Sequence, residues 1–198
     1  WVTASIKTSS VSVTENSSDD LKLPSLDGIS ENEPLPITQE RFLELCSRFL
    51  RKKAAEELEK LTIVPPAEPE DSYSKLIRAW NPGERQLRLA LGKTRADKMN
   101  KPFDMKNEVL PTELYKVASL AVEAENPLEA ENILWRYRLH FLELLRPTDP
   151  FSEEYIFYYG LKLKLLERMR QFDTALGETV YKNIYVSILD GDRREAQL

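Results

Sequence analysis

After Pro150 the chain carries no further proline, and from about 152 to 189 its large apolar side chains fall on one stripe. Ile156, Tyr159, Leu163, Leu166, Met169, Phe172, Leu176, Val180, Ile184 and Ile188 follow one another at steps of three or four residues. That is the helical period, and no strand can keep it. At 1.5 Å per residue such a helix would run on the order of 55 Å, longer than a compact domain of this size needs. A helix of that length belongs in a bundle or reaches another subunit. It points to a mechanical or connective task before a catalytic one.

Breaks and start signals divide the rest of the chain. A first helix starts near Thr38 and buries Phe42, Leu45, Cys46 and Phe49. A second segment carries Ala55, Leu58 and Leu61, and Pro65-Pro66-Ala67-Glu68-Pro69 ends it. Leu76, Ile77 and Trp80 mark a short helix. Asn81 followed by Pro82 reads as a cap and first turn opening another helix to about Met99, with Leu87, Ala90, Leu91 and Met99 inward. Thr112 to about Glu125 buries Leu114, Val117, Leu120 and Ala121. Asn126-Pro127-Leu128-Glu129 opens a helix to about Leu145, and Ser152 with Glu153 and Glu154 opens the last one. Gly160 and Gly177 are places for a kink or a close approach. No stretch alternates at period two, so the fold class is all-α: a multi-helix bundle with a long C-terminal helix.

Charge separates the ends of the chain. Of the formal net charge of -5, residues 1 to 36 carry -4, with Lys7 and Lys22 set against Glu15, Asp19, Asp20, Asp27, Glu31 and Glu33. The nearly neutral remainder gives no general affinity for nucleic acid or membrane. Residues 1–35 therefore read as a mobile acidic Ser/Thr-rich segment and 36–198 as a single helical domain. Trp1 and Val2 are expected to dock on the body, since a terminal tryptophan is costly to leave in water. The first residues lack the layout of a signal peptide, and no run of about eighteen apolar residues is present. The single Cys46 excludes an internal disulfide and a cysteine metal site. A cytoplasmic protein is expected.

The candidates for chemistry are few. Gly92-Lys93-Thr94 matches the end of a phosphate-binding loop, but that loop needs a glycine where Leu87 stands and a strand before it; a glycine allowing close packing is the plainer reading. His140 and Glu143 share a helix face, yet zinc or di-iron sites need several more ligands than one histidine brings. No catalytic residue, cofactor or metal is expected.

Two groups suit protein contacts. Arg85, Arg88, Lys93, Arg95, Lys98 and Lys101 stand against only Glu84 and Asp97, with Arg88 and Arg95 on one helix face. They read either as a solvated face or as a docking face for an acidic partner helix. Trp135, Tyr137 and the run Tyr155-Ile156-Phe157-Tyr158-Tyr159 concentrate aromatics on the last two helices. On a 3.6-residue period these cannot all face one core, so packing and interface remain alternatives.

The residues also carry a family resemblance. Its parts are Leu23-Pro24-Ser25-Leu26, then Pro36-Ile37-Thr38-Gln39-Glu40-Arg41-Phe42-Leu43-Glu44-Leu45-Cys46, then Glu84-Arg85-Gln86-Leu87-Arg88-Leu89-Ala90-Leu91. Arg95-Ala96-Asp97-Lys98, Asn126-Pro127-Leu128-Glu129-Ala130-Glu131, Tyr159-Gly160-Leu161-Lys162-Leu163-Lys164-Leu165-Leu166-Glu167-Arg168 and Phe172-Asp173 complete it. Over roughly residues 23 to 189 the chain resembles a small uncharacterised helical family encoded among the subunit genes of bacterial V-type ATPases. The resemblance implies a non-catalytic accessory or stalk component of a rotary ATPase, standing in for the funnel subunit that seats the central shaft on the membrane ring. It also implies a place on the inner face of the cell membrane, reached through the complex. Arg85, Arg88, Arg95, Trp135 and Tyr137 are then the expected contacts with stalk or ring subunits. The alternative is a helical scaffold unrelated to ATPases; no repeat near 34 or 40 residues makes it a solenoid.

Overall fold

The structure, a computed structural model, describes residues 23–29, 33–66, 71–105 and 108–171. Among these residues the chain is all-α, with six helices and no strand. They are α1 (Gln39–Ser47), α2 (Lys52–Glu59), α3 (Lys75–Lys98), α4 (Thr112–Glu123), α5 (Pro127–Leu144) and α6 (Glu153–Arg170). Four of them start on a side chain that accepts an amide of the first turn. Thr38 takes Arg41 N, Ser74 takes Ile77 N, Asn126 takes Glu129 N and Ser152 takes Tyr155 N.

Asn81 and Pro82 do not start a helix. They lie inside α3, which runs unbroken from Lys75. Proline costs one backbone bond, to the carbonyl of Arg78, but Arg78 and Pro82 are both exposed, so the unmade bond faces water. On the opposite side Leu76, Ile77, Trp80, Leu87 and Leu91 are all buried. Burial of that continuous face outweighs the local stop signal.

The described part of α6 overturns the expectation of one apolar stripe. Every residue from Ile156 to Leu163 is buried, and Leu165 with them. A helix buried on all sides must be surrounded, and α1, α2, α3 and α5 all touch it. Gly160 lets α1 and α2 close in, since a Cβ there would lie 2.9 Å from a Leu61 methyl and 3.1 Å from the Phe42 ring. The stripe residues Phe172, Leu176, Val180, Ile184 and Ile188, together with Gly177, Trp1 and Val2, lie outside the described residues, as does the course of a helix to 189.

Residues 23–29, read from composition as part of a mobile segment, lie on the body, with Leu26 buried. Three side chains expected inside are exposed. Phe49 follows the end of α1, Met99 follows the end of α3, and Leu120 is one residue out of phase with the inward Leu114, Ala118 and Ala121 of α4.

The buried side chains form two clusters. The larger gathers α1, α2, α6, the start of α3 and the end of α5 around Phe42, Trp80, Leu142, Phe157 and Leu161. The smaller joins α4 to the second half of α3 and the first half of α5 through Leu87, Leu91, Leu114, Ala118 and Leu134. Between them, Glu84 and Arg138 are 2% and 7% exposed. Glu84 stands between Trp80 and Leu87, and Arg138 between Leu134 and Leu142, so a buried ion pair marks the seam.

Candidate partner-binding surfaces

The outward side of α3 is cationic along its length. Arg78, Arg88 and Arg95 are exposed and Arg85 is half-buried. Their spacings of seven, three and seven residues keep them on one side of the helix over on the order of 25 Å. Two of the guanidiniums are held: Arg85 Nη2 donates to the Pro66 carbonyl at 3.2 Å, and Arg88 Nε donates to Glu84 Oε1 at 3.2 Å. Of the acids on α3, Glu84 is buried and Asp97 takes Lys93 at 2.6 Å. Arg78, Asn81, Pro82, Arg85 and Gln86 line an open groove of about 440 Å³ with Pro66 and Glu108. Gly92 lies under the Phe103 ring, where a Cβ would be 2.6 Å away. Thr94 Oγ1 donates to the Ala90 carbonyl inside the helix. Gly92-Lys93-Thr94 is thus a packing feature of α3.

The two aromatic candidates do not form an outward face. Trp135 is half-buried against the larger cluster, and its indole N–H donates to the Leu165 carbonyl of α6 at 3.2 Å. Tyr137 packs against the smaller cluster and stacks on Phe141 at 6.4 Å. They work inside the bundle, on opposite sides of the seam. Arg85, Arg88 and Arg95 do share a surface, and Arg78 extends it. The pattern could have shown this, since Arg78 lies seven residues before Arg85.

A second polar site lies where residues 23–29 cross α6. Lys162, 7% exposed, gives its ammonium protons to Asp27 Oδ1 at 2.5 Å, Glu143 Oε1 at 2.7 Å and the Tyr158 hydroxyl at 3.2 Å. Arg146 Nη1 lies 3.8 Å from Asp27 Oδ2, and the Tyr159 hydroxyl donates to the Pro24 carbonyl at 2.9 Å. A cavity of about 280 Å³ remains between residues 23–27 and Arg146, Tyr155, Tyr158, Tyr159 and Lys162.

The charges of this site suit one another. Burial works against the Lys162 ammonium, but the Asp27, Glu143 and Tyr158 oxygens outweigh it and raise its pKa. The same ammonium, first by its hydrogen bond, holds the Asp27 carboxyl below the usual range. Glu143 is lowered too, with the bonds from Lys162 and Tyr158 overcoming its desolvation. Burial, followed by the Glu143 carboxylate, pushes the Tyr158 phenol up to about 12. All the groups stay in one charge state near neutral pH.

Composition and spacing did not single out Lys162, Asp27, Glu84 or Arg138. The signal was a charge sitting in phase with a buried face. Glu84 follows Trp80 by four residues and precedes Leu87 by three, while Lys162 interrupts the apolar run of α6.

Burial pushes the Cys46 thiol up to about 12, which keeps it a thiol. His140 is exposed. No group of three or more metal-binding side chains occurs among the described residues, and no helix among them is long and apolar enough to cross a membrane. Comparisons of the chain with protein-family models, with curated proteins and with solved structures found no match.

Proposed function

We propose that this protein is a non-catalytic helical adaptor, an accessory or stalk component of a bacterial V-type ATPase, and that it docks an acidic partner on the outward side of α3. The observation that carries the reading is the row Arg78, Arg85, Arg88 and Arg95 on one unbroken helix. A force-transmitting adaptor needs contact groups fixed to a stiff element. Here Arg85 and Arg88 are held by Pro66 and Glu84, so less side-chain freedom is lost when a partner arrives. Arginine is the common anchor of such contacts and pairs bidentately with carboxylates. The overall charge of -5 favours a protein partner over nucleic acid. The resemblance to the family encoded with V-type ATPase subunits supplies the complex. Its motifs coincide with the frame: the core of α6, the start of α5, the middle of α3 and the segment across α6.

The test is affinity co-purification from native membranes followed by mass spectrometry. The wild-type chain is expected to bring down stalk and ring subunits in near-stoichiometric amounts. The folded variant Arg78→Glu/Arg88→Glu/Arg95→Glu is expected to lose at least about nine-tenths of that recovery, since like charges now face the partner. Recovery of the protein alone from intact, active ATPase preparations overturns the ATPase reading. Unchanged recovery by the variant overturns the α3 contact.

A further inference from the structure

We propose that residues 23–29 occupy, in cis, a peptide-docking groove on α6. A partner segment of the same chemistry, a leucine followed directly by an acidic residue, takes that groove when they leave. The inference stands apart from the α3 contact and does not depend on the partner being an ATPase subunit.

Residues 23–29 are held the way a bound peptide is held. They form no helix or strand, and among the described residues no backbone-to-backbone hydrogen bond ties them to the body. Attachment runs through side-chain sites: Leu26 buried in the larger cluster with Leu23 and Ile29 packed half-buried against it, the Pro24 carbonyl on the Tyr159 hydroxyl, and the Asp27 carboxylate on Lys162 and Arg146. An apolar anchor beside a carboxylate clamp is a complete recognition element.

The groove is built independently of what fills it. Lys162 and Glu143 belong to α6 and α5, and their bond with the Tyr158 hydroxyl fixes the ammonium without Asp27. When Asp27 leaves, Lys162 keeps Glu143 and Tyr158, and water reaches the side on which the half-exposed Asp27 stood. Release therefore strands no buried charge, the step that makes most buried ion pairs hard to open. What it uncovers is a surface of Tyr155, Tyr158, Tyr159, Arg146 and Lys162 around the Leu26 socket. Tyrosine and arginine are the residues that dominate protein contacts. The present occupant defines the chemistry of the next one, because an apolar side chain must enter the socket while a carboxylate meets two cations.

The experiment uses the full chain and a fluorescein-labelled, end-capped synthetic peptide with the sequence of residues 23–29. In the variant Leu26→Ser/Asp27→Asn the segment loses its buried leucine and its carboxylate, its two most specific attachments, and circular dichroism checks that the helices persist. Fluorescence polarisation is expected to show saturable peptide binding to this variant, at least tenfold tighter than to the wild-type chain, whose groove is filled. Adding Lys162→Met should weaken that binding at least tenfold. A peptide with asparagine in place of the aspartate should weaken it as much, and this arm stands even if the lysine variant does not fold. Binding no tighter to the released variant than to wild type, or equal binding of the asparagine peptide, overturns the proposal.

Discussion

Glu84 is the residue on which the middle of the molecule turns. Its two oxygens take Arg138 through Nε at 2.9 Å and Nη2 at 2.7 Å, and Oε1 also takes Arg88. A bidentate pair this deep repays its desolvation only while both partners remain. Glu84→Leu leaves the Arg138 guanidinium buried without a counter-charge, and about 3–5 kcal/mol of stability should go with it. Arg88 is different: its side chain is 45% exposed, and water replaces the lost contact. The double variant Glu84→Leu/Arg138→Met removes both buried charges at similar volume and should recover most of the loss. Urea unfolding of wild type, both single variants and the double variant measures the coupling directly. If the single losses simply add in the double variant, the pair is not acting as a unit.

At the scale of elements, α6 acts as a fastener for α3. Glu154, in the first turn of α6, accepts Ser74 Oγ at 2.6 Å, Lys75 N at 2.9 Å and Leu76 N at 3.0 Å. One carboxylate from another helix thus satisfies amides that the start of α3 would leave open. Burial opposes its charge, but the bonds from Ser74, Leu76 and Lys75 prevail and its pKa lies below the ordinary glutamate value of 4.5. The folded state therefore favours the ionised form. The contribution is present above the ordinary carboxyl range and is lost as the pH falls through the lowered value. The melting temperature of Glu154→Gln should lie below that of wild type at pH 7, and the gap should narrow as the pH falls below the ordinary glutamate value of 4.5. A gap that stays constant with pH would mean that the contact works through shape and not through charge. This same junction shows what the sequence could and could not reveal. The caps at Thr38, Asn126 and Ser152 were legible because they depend on neighbours in the chain. The continuity of α3 through Pro82 was not, since it depends on the face that Trp80 and Leu87 bury against distant helices. Nor was the all-round burial of α6, because a stripe shows the first neighbour of a helix but not its third or fourth. Arg85, Arg88 and Arg95 could be grouped from spacing alone. For Trp135 and Tyr137 the sequence left packing and interface as alternatives, because aromatic residues serve cores and interfaces equally well.

The whole molecule consists of two apolar clusters sharing α3 and α5, and the division has dynamic consequences. The larger cluster closes around α6, which α1, α2, α3 and α5 all touch. The smaller depends on α4, which among the described helices packs chiefly against α3 and α5 and leaves Leu120 in water. At the seam the buried Glu84–Arg138 pair stands between the two, and the stacking of Tyr137 on Phe141 is an apolar contact across it. Regions with few buried contacts open at lower free energy than the core. Native-state hydrogen exchange at rising urea should therefore show the amides of α4 joining an opening event well below the global one, while Phe157 to Leu163 of α6 exchange only on complete unfolding. Exchange of α4 and α6 with one common free energy would show that the ion pair transmits cooperativity across the seam instead of interrupting it. The distinction bears on docking, because the arginine row crosses the seam. Arg78 sits on the turn of α3 next to Ile77 and Trp80 in the larger cluster, and Arg95 lies beyond Leu91, which the smaller one buries. A partner that engages the whole row bridges both clusters, and α4 amides should then be protected on binding even though the partner touches α3.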